Sequence, residues 1–143
     1  MKRTILAFIF AALFLPFTAL AQQPKPEPER LKADATQLDQ LQKVFMSTPQ
    51  FGEQFWHASK RVAGERGPAI IHAIMIRGRT WQREEGLVFV PLVALLPREP
   101  TLKLLKQYEH SKRESDRIWA REFQTEFEAS DTQEAARKYS KPK

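Results

Sequence analysis

Two apolar stretches decide the fold of this 143-residue chain: AIIHAIMI at residues 69–76 and LVFVPLV at residues 87–93. Both belong to a region, residues 69–96, in which 17 of 28 residues are apolar. Burial of apolar surface is the dominant favourable term in folding, so this region is expected to supply the centre of the core. The chain length allows a single domain around it.

Both stretches are rich in β-branched residues, so each is compatible with a buried strand or with a buried helix. As strands, they would form a hairpin across the loop at residues 77–86. Pro91 argues against a central strand, whereas Pro68 suits the start of a helix. We therefore favour two buried helices, with a break or kink near Pro91.

Toward the N-terminus, apolar residues recur at helical spacing in two further segments. The first segment places four of them on one face: Leu31, Leu38, Leu41 and Phe45. The second segment does the same with Phe51, Phe55, Ala58 and Val62. We expect two helices, with Thr48 capping the second, Pro49 at its first position and Gly64 at its end.

Toward the C-terminus, residues 101–129 are strongly charged but have apolar ends. One end carries three aromatic residues at four-residue steps: Trp119, Phe123 and Phe127. Nine consecutive polar residues, 109–117, separate the two ends. The simplest interpretation is one long helix with a solvated midsection, and the alternative is two helices joined by a loop at residues 111–115.

These elements predict an all-α fold, a small bundle of four or five helices over residues 31–129 with a long charged helix at its end. Prolines at positions 24, 26 and 28 predict an extended spacer over residues 22–30. Residues 130–143 are polar and end in a basic sequence, so we expect a mobile tail there.

Residues 1–21 have the organisation of a cleaved signal peptide. Lys2 and Arg3 precede an apolar run, and Ala19-Leu20-Ala21 matches the small-x-small pattern of a cleavage site before Gln22. An uncleaved membrane anchor is the alternative, although the apolar segment is at the lower limit of length for crossing a bilayer. We predict export, most simply to the periplasm with secretion as the alternative, and no transmembrane span in the mature chain.

The composition excludes several classes of site. The chain has no cysteine, which rules out disulfides, cysteine-ligated zinc, iron–sulfur clusters and a cysteine nucleophile. No phosphate-binding glycine loop or dinucleotide fingerprint is present, and we expect no cofactor and no metal. The formal charge is +6 for the whole chain and +4 once Lys2 and Arg3 are removed with the signal peptide.

The basic excess is local, because residues 60–83 alone carry a net charge of +5. The members of this cluster, one tryptophan included, are Lys60, Arg61, Arg66, Arg77, Arg79, Trp81 and Arg83. Solvated helix ends would account for the cluster without any function. The functional interpretation is a cationic surface for an anionic partner, namely an envelope protein, lipid headgroups or lipopolysaccharide. No nucleic-acid-binding motif accompanies the cluster, so nucleic acid is not an expected partner.

Candidates for catalysis are few. Glu53 and His57 stand four residues apart on a predicted helix, a spacing that brings a carboxylate to an imidazole. Glu84 is a further acidic candidate, but adjacent Glu85 points about 100° away on a helix and does not face it. His72 lies within an apolar run, where a core histidine is the simpler interpretation.

The sequence therefore predicts an exported, non-catalytic helical protein that acts as an interaction component of the bacterial cell envelope. Trp56, which is expected to be partly exposed, and Trp81 are the aromatic residues that would meet a partner. One alternative is a cationic periplasmic chaperone of the holdase type. Another is an envelope-associated enzyme that uses Glu53, His57 or Glu84.

Overall fold

The computed structural model describes residues 27–49, 51–81 and 83–142, without the side chains of residues 83 and 84. Every regular element in these ranges is an α-helix, as the sequence predicts. The predicted signal peptide and most of the spacer lie outside the described residues. The described ranges contain eight helices: α1 (Pro28–Ser47), α2 (Glu53–Arg66), α3 (Ile70–Gly78), α4 (Arg83–Leu87), α5 (Val90–Leu95), α6 (Arg98–Tyr108), α7 (Glu114–Glu128) and α8 (Ser130–Ser140).

The two apolar stretches form helices at the centre of the fold, so the preferred interpretation is confirmed and the hairpin is wrong. The first stretch is α3, and the second is divided between the end of α4 and the start of α5. Pro91 lies in the first turn of α5, where its missing N–H leaves no backbone bond unmade. α3 packs against α1, α6 and α7, while α5 packs against α2, α7 and α8.

The core is made mostly by the faces that helical spacing predicts, although Phe51, predicted on the face of the second helix, precedes α2 and is 45% exposed. Leu38 and Leu41 of α1 are fully buried, and so is Phe55 of α2. In α7 the aromatic line is buried throughout, with Trp119, Phe123 and Phe127 at 6%, 0% and 3% exposure. Side chains at these spacings lie on one face of a helix, which explains why the sequence pattern identified them.

The bounds of the first two helices differ from the prediction. α1 begins at Pro28, so residues 28–30 of the predicted spacer are helical. Thr48 does not cap the next helix, because its Oγ1 donates to the carbonyl of Val44 at 2.7 Å and so satisfies the end of α1. α2 then passes through Gly64 and ends at Gly67, which adopts a φ of 71° and donates its N–H to Ala63.

The charged segment at residues 101–129 is two helices, so the prediction of one long helix is wrong and its alternative is confirmed. The break lies between α6 and α7, where Ser111 Oγ donates to Asp116 Oδ2 at 2.8 Å. Arg117 Nη1 donates to the carbonyl of Ser111 at 2.7 Å. Because Asp116 is only 2% exposed, its hydrogen bonds hold the turn against the body of the domain and bring α6 beside α7.

The predicted tail at residues 130–143 is also not as expected, because residues 130–140 form α8. Tyr139 of α8 stacks on Trp56 with ring centroids 5.4 Å apart and an interplanar angle of 15°. Ala136 is buried against the same neighbourhood. The contact leaves Trp56 only 5% exposed, which corrects the prediction that it is partly exposed. The additional helices raise the total above the four or five predicted.

Candidate functional site

The structure distributes the predicted basic cluster among several acidic partners. Arg66 Nε donates to Asp34 Oδ1, and Arg77 Nη2 donates to Asp39 Oδ1. Arg79 Nε reaches Asp116 Oδ1 at 3.4 Å. In each pair the arginine and the carboxylate belong to different elements of the fold. Arg66 and Arg77 lie within helices, and Arg79 lies in the turn after α3. The three arginines therefore hold helices together and do not share one unoccupied cationic surface.

The remaining members of the cluster lie apart from one another. Lys60 Nζ donates to the carbonyl of Lys141 at 3.2 Å, and Arg61 pairs with Glu65 at 3.5 Å along α2. Trp81 stacks on Phe89 at 5.2 Å and meets Trp119 edge-on at 5.4 Å. The side chain of Arg83 is outside the described part of the structure.

Sequence reasoning missed the acidic side of these pairs. Asp34 is fully buried, and it lies three residues after Leu31 and four before Leu38, on the apolar face of α1. Arg30 Nε approaches its second oxygen at 3.4 Å, and Arg30 Nη2 donates to the carbonyl of Arg66. A carboxylate on an otherwise apolar stripe is the pattern from which a buried ion pair was predictable.

Burial also affects the arginine on α3. Desolvation lowers the pKa of Arg77 from its ordinary value, because the charged guanidinium is partly removed from water. Its Nη1 is buried without a hydrogen-bond partner within the described residues. Arg77 is thus a poor candidate for direct contact with an anionic surface.

His72 and Tyr108 form a polar contact between α3 and α6. The Tyr108 hydroxyl lies 2.7 Å from His72 Nδ1. Burial, together with the nearby Asp116 carboxylate, raises the pKa of Tyr108 to about 12, so the phenol keeps its proton and shares a hydrogen bond with the imidazole. Burial, with Arg30 adding to it and Asp34 opposing it, lowers the pKa of His72. His72, predicted to be a core histidine, is therefore half-buried, and its imidazole is neutral at pH 7.

This arrangement predicts a loss of stability in acid. The pKa of His72 is lower in the folded chain than its ordinary 6.5. Just below that pH, His72 is therefore protonated in the unfolded chain but still neutral in the folded chain. His72 thus contributes stability above 6.5 that is lost as the pH falls. We expect the free energy of unfolding of the wild type to approach that of His72→Gln as the pH is lowered. Urea titrations across this range measure the difference, and parallel curves for the two proteins would contradict the prediction.

The catalytic candidates meet only in part. Glu53 Oε1 lies 3.2 Å from His57 Nε2, as the four-residue spacing predicts. Both side chains are on the outside of α2, with 66% and 35% exposure. Tyr139 meets the His57 ring edge-on at 5.6 Å. The side chain of Glu84 is not among those described.

One groove in the described part of the chain has a mainly apolar lining, and we call it the Phe51 groove. It has a volume of about 440 Å³, within the usual range for ligand sites. The turn between α1 and α2, the α4–α5 region and the α7–α8 region surround it. Its lining is mainly apolar and comprises Phe51, Trp56, Leu87, Val90, Pro91, Glu126, Asp131, Thr132 and Ala135.

Phe51 is the unusual residue of this groove. Its φ is 54°, and it is the sole non-glycine residue with a positive φ in the described ranges. For a bulky aromatic residue this conformation is strained. The ring packs edge-on against Phe45 at 5.4 Å and Phe55 at 6.0 Å, yet the residue is 45% exposed. The strained backbone thus presents an aromatic side chain at the mouth of an apolar groove.

No group of three or more histidine and acidic side chains among the described residues is arranged to hold a metal ion. Among the helices described, none combines the length and the apolar character needed to cross a bilayer.

Comparison with known proteins adds no assignment to this geometry. No family model, curated protein or solved structure matches the chain.

Proposed function

We propose that this is an exported, non-catalytic interaction protein of the bacterial cell envelope, and that it binds an apolar segment of a partner protein in the Phe51 groove. The export part rests on the signal-peptide pattern of residues 1–21. The binding part rests on one observation, the strained and exposed Phe51 at the mouth of an apolar groove. Strain persists where the surrounding structure maintains it, and such residues concentrate at functional sites.

The lining of the groove favours a polypeptide over a membrane surface. A concave site of about 440 Å³ accommodates one or two large side chains, whereas a lipid surface meets convex or flat faces. Glu126 and Asp131 lie on its rim, and in the described part of the chain neither forms an ion pair with a cation. Carboxylates at the rim repel anionic headgroups and attract a partner that carries Lys or Arg beside its apolar anchor.

Charge reversal of the basic cluster would not test this function. Glutamate at position 77 would face Asp39, and glutamate at position 79 would face Asp116, which is buried. Arg79→Glu would place like charges together at a buried site and destabilise the domain, whereas the Asp39 site is more exposed. A loss of binding in a variant that includes Arg79→Glu would therefore report unfolding.

A site-specific crosslink provides the test. A photoreactive phenylalanine analogue is placed at position 51 of the full-length protein, and the cells that produce it are irradiated. We expect one predominant protein adduct. The matched control carries the analogue at Met46, which is 80% exposed but does not line the groove, and it should give no such adduct.

A second pair of variants links the adduct to the groove. Leu87 lines the groove and Leu102 of α6 does not, and both are half-buried. Leu87→Gln should reduce the yield of the position-51 adduct at least about tenfold, the effect of losing one apolar contact in a binding site. Leu102→Gln should leave it unchanged. Adducts with many unrelated chains would indicate a holdase, and adducts unaffected by Leu87→Gln would contradict binding in the groove.

A further inference from the structure

The outer face of α8 carries four exposed charged residues in a particular order: Asp131, Glu134, Lys138 and Lys141. Their spacings of three, four and three residues place them along one stripe of the helix and its last turn, over about 15 Å. The opposite face carries Ala136, which is buried against the domain. The stripe is therefore solvent-exposed, with its two acids at one end and its two bases, beside the exposed Arg137, at the other.

These four charges have no ion-pair partner within the described residues. Asp131 Oδ1 accepts the N–H of the adjacent Thr132 at 2.9 Å, and Lys138 Nζ lies 5.2 Å from the ring of Tyr139. Compensation of the helix dipole favours acids in the first turn and bases in the last. Glu134 and Lys138 also stand at the i,i+4 spacing that supports a single helix. Beyond that local effect, the order of the four exposed charges makes this face complementary to itself.

We propose that α8 is a self-association surface on which a second copy of this chain binds with its own α8 antiparallel. In that orientation Asp131 faces Lys141 of the second copy and Glu134 faces its Lys138, and each contact occurs twice. A two-fold interface requires a surface that is complementary to itself, and a charge order of two acids followed by two bases satisfies this requirement only in the antiparallel arrangement.

The apolar contribution comes from beside the stripe. Exposed ion pairs add little affinity by themselves, so they set orientation while apolar contacts supply association. A shallow depression of about 950 Å³ runs along α8, and Phe51 and Tyr139 line it together with the stripe. The contact area is small, so the dimer should be weak and concentration-dependent. This inference does not rest on the proposed partner of the Phe51 groove.

Charge-swap variants test the inference with the protein itself as the probe. Asp131→Lys/Glu134→Lys makes the stripe entirely basic, and Lys138→Glu/Lys141→Glu makes it entirely acidic. Sedimentation of the purified wild type over a concentration series should show a monomer–dimer equilibrium. Each double variant alone should dimerise at least about tenfold more weakly, because like charges meet in the antiparallel pair. An equimolar mixture of the two should recover association, and added salt should weaken the recovered dimer.

The mixture also controls for folding, because two misfolded variants would not restore a dimer between them. Circular dichroism of each variant checks that α8 is retained. A wild type that stays monomeric at every concentration would overturn the inference, as would unaltered dimerisation of either double variant. A mixture no more associated than its components would also overturn it. The position-51 crosslink distinguishes the two proposals, because an adduct with a second copy of this chain supports self-association whereas an adduct with a different protein supports the Phe51 groove.

Discussion

Replacement of Asp34 by alanine is expected to lower the free energy of unfolding by about 2–3 kcal/mol, somewhat less than the roughly 3–5 kcal/mol typical of breaking a fully buried ion pair. Asp34 is fully buried. Its carboxylate accepts a hydrogen bond from Arg66 Nε at the end of α2 and forms an ion pair with Arg30 Nε within α1. Without it, both guanidinium groups keep their charge but lose their partner. The side chains of Arg30 and Arg66 are 38% and 26% exposed, so water solvates both groups and offsets part of the lost free energy.

Asp39 provides the matched control for this experiment. It also lies on α1 and also pairs with an arginine, Arg77, but it is 55% exposed. Asp39→Ala should therefore cost less than about 1 kcal/mol, as expected for a solvent-exposed ion pair. Urea unfolding followed by circular dichroism measures both variants. Equal losses would show that burial of Asp34 does not set the strength of its ion pairs.

The second large effect is expected at Gly86, where Gly86→Ala should destabilise the domain by about 1–3 kcal/mol through overpacking. A Cβ at this position would lie 2.1 Å from Cη2 and 2.3 Å from Cζ3 of Trp119. The indole is 6% exposed and is held between Trp81 at 5.4 Å and Phe123 at 5.5 Å. Neither α4 nor the ring moves without disturbing the aromatic packing of the core.

Gly64 allows the same substitution in an open environment. It lies within α2, is exposed, and a Cβ there would meet nothing within 4 Å. Gly64→Ala should stabilise the protein by about 0.5–1 kcal/mol, since alanine loses less backbone entropy in a helix than glycine. The two Gly→Ala changes should therefore have opposite signs in thermal or urea unfolding. A neutral Gly86→Ala would mean that the Trp119 ring has room to move.

The candidate site was less predictable than the fold. Phe51 was identified from the sequence as a member of an apolar helical face, but helical spacing carries no signal of its positive φ or of its place at the groove. Trp56 was placed one step off that face and expected to be partly exposed. It is buried because Tyr139, more than eighty residues later, stacks on it. No local pattern encodes such a contact.

Helical periodicity is a property of neighbouring residues, so it suffices to predict a helical domain and most of its buried faces, such as Leu38 and Leu41 of α1 or Trp119, Phe123 and Phe127 of α7. The roles of the charged residues depend instead on tertiary packing. Arg66, Arg77 and Arg79 meet carboxylates 32, 38 and 37 residues away, through the packing of α1, α7 and their neighbours. Pairing across such distances depends on where whole helices lie, and therefore a cluster of charge in the sequence became a set of separate ion pairs in the fold.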